Sequence, residues 1–311
     1  MENSINLGNT TLHDKKIFCR NHGIPINVYW DEVFEERLLL LDSFYDTVSK
    51  WYTYLDSLDK YPNFSFRELK DSVVDEIRST DGFQRFNSMD MQAFSNNGRT
   101  EIPKKGIYSI ENIGKSFASL DMVSANFNAL RFFDKDIFKG HEMWMEYLSE
   151  FTQNEHYLSS KYVRQSIFGS LNSKRITTYQ KYLTSRVIEY FSNYIDRENF
   201  KFASADEFVI ELDRDVTAEK VKRVFEGIGA INTVPWKLEV FKLEYLSGVN
   251  GYLKVHEDGH HTIKCLSPEY VPFVIRKLKG ITPTEYDHIV DHNGIPAKLL
   301  ETPLVERVCS L

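Results

Sequence analysis

The chain has 311 residues, of which 42% are hydrophobic and 14% aromatic, and its formal net charge is −7. This composition is that of a folded protein and excludes an intrinsically disordered chain. The acidic total also excludes a generally basic nucleic-acid coat, although a local basic groove can exist within it.

The cysteines and the apolar segments indicate the compartment. Cys19, Cys265 and Cys309 are odd in number and far apart, so we expect no disulfide framework and a reducing environment. The N-terminus has no apolar signal segment, and no window approaches about 18 apolar residues. We therefore expect a soluble, cytoplasmic protein without a membrane partner. The length favours about two domains.

The N-terminal third is predicted to be mainly helical. Residues 1–27 are polar and contain chain-breaking residues, so we expect an arm or loop there. A broad apolar stripe over residues 30–51 predicts one helix, which Asp31 would cap. A capping-box pattern predicts a second helix over residues 65–79. Residues 80–106 are rich in turn-forming residues and predict a linker that ends a domain.

The rest of the chain mixes strands and helices. From residue 115 the sequence alternates as a strand, and after Ser124 its apolar residues take helical spacing, so Asp121 lies where a strand gives way to a helix. Further helices are predicted at 142–151, 156–194 (interrupted near Gly169 and Asn172), 218–226 and 271–279, and strands at 237–245, 252–256 and 261–266.

An abrupt acidic pair, Asp206 and Glu207, stands inside the apolar stretch 202–212. The alternation that follows predicts a strand leaving a tight corner with two carboxylates at its tip. The simpler interpretation is a hairpin whose turn contains Asp-Glu, because turns favour Asp. Acids at the mouth of an apolar strand pair are better accommodated if they hold a cation.

Asp121 and Asp206 are separated by a predicted helical segment that carries six cations: Lys161, Arg164, Lys174, Arg175, Lys181 and Arg186. Two aspartates on adjacent strands could bind a pair of divalent ions, while a basic helix contacts a triphosphate. That is the chemistry of a polymerase palm.

Short motifs resemble those of family A DNA polymerases and the related single-subunit RNA polymerases. Leu120-Asp121-Met122-Val123-Ser124, with the later Leu130-Arg131, resembles their first catalytic motif. Arg164-Gln165-Ser166-Ile167-Phe168-Gly169 is similar to their fingers helix, with Arg164 in place of Lys. Ala205-Asp206-Glu207-Phe208 resembles the motif of the second catalytic Asp, with Ala205 in place of His. Val234-Pro235-Trp236-Lys237-Leu238-Glu239-Val240 resembles the strand that closes the palm.

The same segment is also similar to a second lineage. Ser204-Ala205-Asp206-Glu207-Phe208-Val209-Ile210 resembles the catalytic motif of intron-type reverse transcriptases, and residues 226–232 resemble the turn that follows it. In that alignment Asn126 occupies the sugar-gate position. Both resemblances agree on Asp121 and Asp206.

The resemblances imply an α+β fold with an antiparallel palm-like sheet and helices on one of its faces. Three regions are expected: a mainly helical part at 1–106, the palm with reduced fingers at 107–246, and a small mixed C-terminal extension at 247–311. The implied site has three sets of residues: catalytic Asp121, Asp206 and Glu207; ion ligands Asp121, Met122 and Asp206; and nucleotide-binding Lys161, Arg164, Phe168 and Asn126.

The implied function is a minimal DNA or RNA polymerase. It would use two Mg²⁺ or Mn²⁺ ions, a nucleic-acid primer and template and nucleoside triphosphates, with or without a partner protein. The residues leave other interpretations open: Asp121 could cap a helix, Lys161 and Arg164 could form a solvated helix face, and Phe168 could belong to the core. The competing function is a catalytically inactive palm-fold scaffold or nucleic-acid-binding protein of a replication or transcription complex. Template-free terminal addition is a third possibility.

Overall fold

The computed structural model describes residues 5–95, 106–231, 233–292 and 295–310. The turn predicted at residues 96–98 and the resemblance at Asn232 lie outside these ranges. The helices are, in chain order, α1 (Leu12–His22), α2 (Asp31–Tyr45), α3 (Thr47–Lys60), α4 (Phe66–Ser79), α5 (Asp81–Ser88), α6 (Gln92–Ser95), α7 (Ala125–Phe133), α8 (Trp144–Leu148), α9 (Glu155–Leu158), α10 (Lys161–Ser170), α11 (Ser173–Phe191), α12 (Ala218–Glu226) and α13 (Val271–Lys279).

The strands are β1 (Ser116–Met122), β2 (Phe200–Ala203), β3 (Glu207–Leu212), β4 (Trp236–Ser247), β5 (Gly251–His256), β6 (His261–Lys264), β7 (Ile289–His292), β8 (Ile295–Lys298) and β9 (Glu306–Val308). The order across the main sheet is β2-β3-β1-β4-β5-β6, with β9 on β4, and all of its pairings are antiparallel. The expected α+β class with an antiparallel sheet is confirmed.

Most of the predicted elements form, and three expectations about the N-terminal third are wrong. Helix α1 lies inside the predicted arm, where Thr11 caps its first turn and Gly23 ends it in a left-handed conformation. The predicted helix over 30–51 is two helices, because Asp46 adopts φ 51° between α2 and α3. Helices α5 and α6 occupy part of the predicted linker.

The helices that position the site cover one face of the sheet. Ala118 and Leu120 of β1 join Phe208 and Ile210 of β3 in the largest core, which also takes in residues from α4, α5, α7, α10, α11 and α12. The chain between β1 and β4 follows the order β-α-β-β-α-β of split βαβ folds. The opposite face carries a smaller apolar cluster around Phe117 and Phe241 that includes Ile107. Asp121, near the end of β1, is exposed on this second face, which we call the open face below.

The N-terminal helices share a core with the C-terminal region. Phe34, Leu38 and Trp51 pack in one buried cluster with Val271 and Ile275 of α13. The sheet also runs without interruption through residue 246, since β4 spans Trp236–Ser247 and pairs with β5. The division into 1–106, 107–246 and 247–311 stays a prediction. Among the described residues, no helix is both long and apolar enough to cross a membrane.

Candidate functional site

Asp121 lies near the end of β1, where the strand is flanked by β3 and β4. Its Cα pairs with Glu207 on one side and with Lys237 on the other. Residues directly opposite in an antiparallel pair point to the same face, so Asp121 and Glu207 share the open face of the sheet. Met122, the next residue, points into the core on the other face and is 2% exposed. Only the backbone carbonyl of Met122 is therefore left as a possible ion ligand.

Asp206 lies in the turn between β2 and β3, against the end of β1. The Met122 amide donates to the Asp206 carbonyl at 2.8 Å, which attaches the turn to β1. Ser204 shapes this turn: its hydroxyl accepts from the Glu207 amide at 3.0 Å and donates to the Asp206 carboxylate at 3.1 Å. The structure thus brings together Asp121, Asp206 and Glu207 from distant parts of the chain.

The acids affect each other's protonation. The pKa of Asp121 is raised to about 6, first by partial burial and then by the negative charges of Asp206, Glu207 and Glu239. The Ser119 hydroxyl donates to Glu207 at 2.6 Å, and Lys237 forms an ion pair with Glu239 at 2.7 Å. Glu207 and Glu239 thus have protein donors, whereas Asp121 faces an excess of negative charge.

Helix α10 brings two of the predicted cations to this site. Lys161 is exposed, and its charge lowers the pKa of Asp121, opposing the raising effect of the acids. The Arg164 guanidinium is partly buried and donates to the Ser124 hydroxyl at 3.1 Å, just beyond the end of β1. Burial lowers the pKa of Arg164 from its ordinary value. The basic end of α10 therefore faces the acid-bearing end of β1.

The remaining predicted nucleotide contacts differ in their placement. Asn126 lies in the first turn of α7, and its side-chain oxygen accepts from the Gln180 amide at 2.9 Å. Phe168 is only 1% exposed and packs against Trp144 and Phe138 in the core. This burial fits the core interpretation of Phe168, and a contact between Phe168 and a nucleotide stays a prediction.

The donor set suits hard divalent ions. Carboxylates and backbone carbonyls are the ligands that Mg²⁺ and Mn²⁺ prefer, and Asp121, Asp206 and the Met122 carbonyl offer both types. Within the described ranges, no group of three or more His, Cys, Asp or Glu side chains lies in a metal-holding arrangement. Ions would therefore rest on the aspartate pair, on backbone oxygen and on oxygens supplied by a substrate.

Several residues of the site were missed by sequence reasoning. Ser119 and Glu239 had a weak signal, because each lies on the same face of its strand as Asp121 or Lys237. Ser204 belonged to a quoted motif but was given no role. Gln180 and Thr184, which contact the acid-bearing segments from α11, had no signal, because polar residues on an amphipathic helix are expected to face solvent.

The fold and the site define an α+β protein in which Asp121 of β1 and Asp206 of the β2–β3 turn lie close together at one end of an antiparallel sheet. No protein-family model matches the chain, and a search of curated proteins found no match either.

Proposed function

We propose that the protein is a template-directed nucleotidyltransferase in which Asp121 and Asp206 hold Mg²⁺ or Mn²⁺. The observation that carries the proposal is the hydrogen bond from the Met122 amide to the Asp206 carbonyl, which holds the turn of Asp206 against the end of β1, one residue beyond Asp121. Glu207 sits on the open face opposite Asp121. The substrates would be a nucleic-acid primer and template and nucleoside triphosphates.

Each group has a distinct role in this proposal. Bound divalent ions would activate a 3′-hydroxyl and neutralise charge on the leaving pyrophosphate. Asp121 and Asp206 would orient those ions, and Glu207 would add negative charge while it remains held by Ser119. Lys161, exposed beside Asp121, would meet the anionic triphosphate. Arg164 would stabilise the turn after β1, because its guanidinium donates a hydrogen bond to the Ser124 hydroxyl.

Primer extension tests the proposal. A labelled primer on DNA and RNA templates, with Mg²⁺ or Mn²⁺, should be extended by the wild-type protein. Asp121→Asn and Asp206→Asn should each reduce extension about 100-fold or more, because an active-site ion contributes several kcal/mol to the barrier. Asp75→Asn is the matched control, since Asp75 is exposed on α4. Equal behaviour of wild type and both site variants with every template would contradict the proposal.

An inactive scaffold with the same fold is the second candidate. Two observations favour it: Arg164 is already bonded to Ser124, and Phe168 is buried. Thermal unfolding with and without Mn²⁺ separates the candidates, because a ligand that binds only the folded state stabilises it. An ion-binding palm should gain stability with Mn²⁺ and lose that gain when Asp121 and Asp206 are both changed to Asn. A scaffold should show no gain.

A further inference from the structure

Helix α11 runs between the two segments that carry the aspartates, and it contacts both with polar side chains. Gln180 and Thr184 are four residues apart, so they lie on the same face of the helix. They are 4% and 2% exposed, which is unusual for polar residues. Their positions therefore demand partners inside the protein.

Thr184 reaches the turn of the second aspartate. Its hydroxyl donates to the carbonyl of Ala205 at 2.7 Å, and Ala205 immediately precedes Asp206. Residues 204–206 lie between β2 and β3, so this carbonyl is outside the strand ladder. The turn is thus held from two sides, by Met122 of β1 and by Thr184 of α11.

Gln180 reaches the segment that follows the first aspartate. Its amide donates to the side-chain oxygen of Asn126 at 2.9 Å. Ser124, two residues earlier, has φ 44°, a left-handed conformation that is strained for a residue with a side chain. Its carbonyl accepts from the Asn128 amide at 3.1 Å, in the first turn of α7. Gln180 therefore contacts α7 next to a strained junction that needs support.

We propose that Gln180 and Thr184 are positioning residues that set the separation of Asp121 and Asp206. The functional part of this inference rests on the proposed nucleotidyl transfer. Gln180 and Thr184 lie one turn apart on a single helix, and each holds one of the two aspartate-bearing segments. The fixed spacing of the two side chains on α11 therefore constrains the distance between Asp121 and Asp206. In sites with two metal ions the ions lie about 4 Å from each other, so the carboxylates that hold them must keep a fixed separation. A misplacement of a reacting group by about 1 Å can reduce catalysis about 100-fold.

The test uses variants that remove the hydrogen-bond donor of each side chain while keeping its size, and for Thr184 also a variant that keeps the hydroxyl. Thr184→Val keeps the shape and removes the hydroxyl, while Thr184→Ser keeps the hydroxyl. Thr178→Val is the matched control, because Thr178 is a partly exposed threonine of α11 whose hydroxyl bonds within the helix, to the carbonyl of Lys174. Gln180→Met keeps the length of the side chain and removes its amide.

Amide hydrogen exchange of the full chain gives a readout that needs no catalysis. In Thr184→Val the Met122 amide should exchange about tenfold faster, the effect of one lost net hydrogen bond, while amides in the middle of β1 keep their rates. In Gln180→Met the Asn128 amide should respond instead. Thr184→Ser and Thr178→Val should behave like wild type.

Activity adds the functional readout. Where wild type extends a primer, Thr184→Val should lower kcat by about tenfold or more with little change in the KM for nucleotide, and Thr184→Ser should restore it. A uniform rise in exchange at all amides, no change at Met122, or the same defect in Thr184→Ser would overturn the positioning role. An inactive wild type with the local exchange response would refute nucleotidyl transfer and leave the positioning of the aspartates standing.

Discussion

At the residue scale, the fold changes the protonation of Asp121. Its pKa rises from 3.8 to about 6 because partial burial and three neighbouring acids disfavour its charge. A pKa raised in this way is typical of functional sites, although structural clusters can produce it too. Because this pKa differs between the folded and unfolded states, the stability of the ion-free protein depends on pH.

Asp121→Asn should stabilise the ion-free protein at neutral pH. Between pH 3.8 and about 6 the Asp121 carboxyl binds its proton more tightly in the folded state than in the unfolded chain, so the contribution of this group to stability falls as pH rises through this window. The variant avoids this loss and should gain about 1 kcal/mol above pH 6, a modest value because solvent screens an exposed carboxylate. Thermal unfolding from pH 4 to 8 with a chelator checks this, and a gain that is equal at pH 4 and pH 8 would contradict it.

A pair of histidines, His156 buried and His22 half-buried, contributes the opposite pH dependence. The Nε2 of His22 lies 3.1 Å from the Nδ1 of His156, whose Nε2 is 2.9 Å from the Asn21 amide. Burial, together with Lys50 for His22 and with His22 for His156, lowers their pKa values from 6.5 to about 4 and about 3. Both imidazoles therefore stay neutral in the folded protein well below the pH at which the unfolded chain is protonated.

The protein should lose stability as pH falls from 6.5 towards 4. In this range the unfolded chain binds more protons than the folded state, and each imidazole contributes a slope of up to about 1.4 kcal/mol per pH unit. His156→Gln removes one titrating group, so its unfolding free energy should vary less with pH, whatever its value at pH 8. His13→Gln, at an exposed histidine, serves as control. Parallel pH profiles for all three proteins would rule the pair out as the source.

At the scale of elements, sequence patterns worked where one face of an element is apolar. The alternation in β1 and β3 and the spacing in α12 and α13 follow the covered face of the sheet, so these elements were predicted nearly to their ends. Helix α1 was missed because it buries Lys15 and Asn21 beside Phe18, which hides its apolar period. Burial of that kind depends on tertiary partners, such as His156 for Asn21.

The candidate site could be predicted only in part, because many of its contacts depend on tertiary structure. That Asp121 and Asp206 meet depends on the register of β1 and β3, which no local pattern specifies, and only resemblance placed them together. The burial of Phe168 and the hydrogen bond from Arg164 to Ser124 depend on which side of α10 faces the sheet. The contacts of Gln180 and Thr184 are tertiary, and an amphipathic pattern cannot show them.

The break between α2 and α3 can be tested at one position. Asp46 has φ 51° and makes no capping hydrogen bond with its side chain, so a residue without a Cβ should fit better. Asp46→Gly should raise stability by up to about 1 kcal/mol, and Asp46→Ala should lower it by a similar amount, because Ala tolerates this conformation less well than Asp. Chemical denaturation measures both. An Ala variant as stable as the Gly variant would show that no left-handed residue joins the helices.

At the scale of the whole molecule, a buried ion network connects the two ends of the chain. Asp287 is completely buried and accepts from Arg37 of α2 and from Arg276 of α13. Arg276 also forms an ion pair with Glu36 of α2. Together with the apolar cluster shared by α2, α3 and α13, these bonds fasten the N-terminal helices to the C-terminal part of the sheet.

Asp287→Asn should destabilise the protein by about 3–5 kcal/mol, because it leaves two buried guanidinium groups with one partner carboxylate between them. Replacing a buried charge has this large effect even though the intact network adds little net stability over apolar packing. Asp56→Asn, which breaks an exposed pair with Lys60, should change stability by less than about 1 kcal/mol. Urea unfolding followed by both tryptophan fluorescence and circular dichroism measures the loss. Because the N- and C-terminal parts share one core, the two probes should report a single transition in wild type, whereas separate transitions would show that the network joins independently folding units.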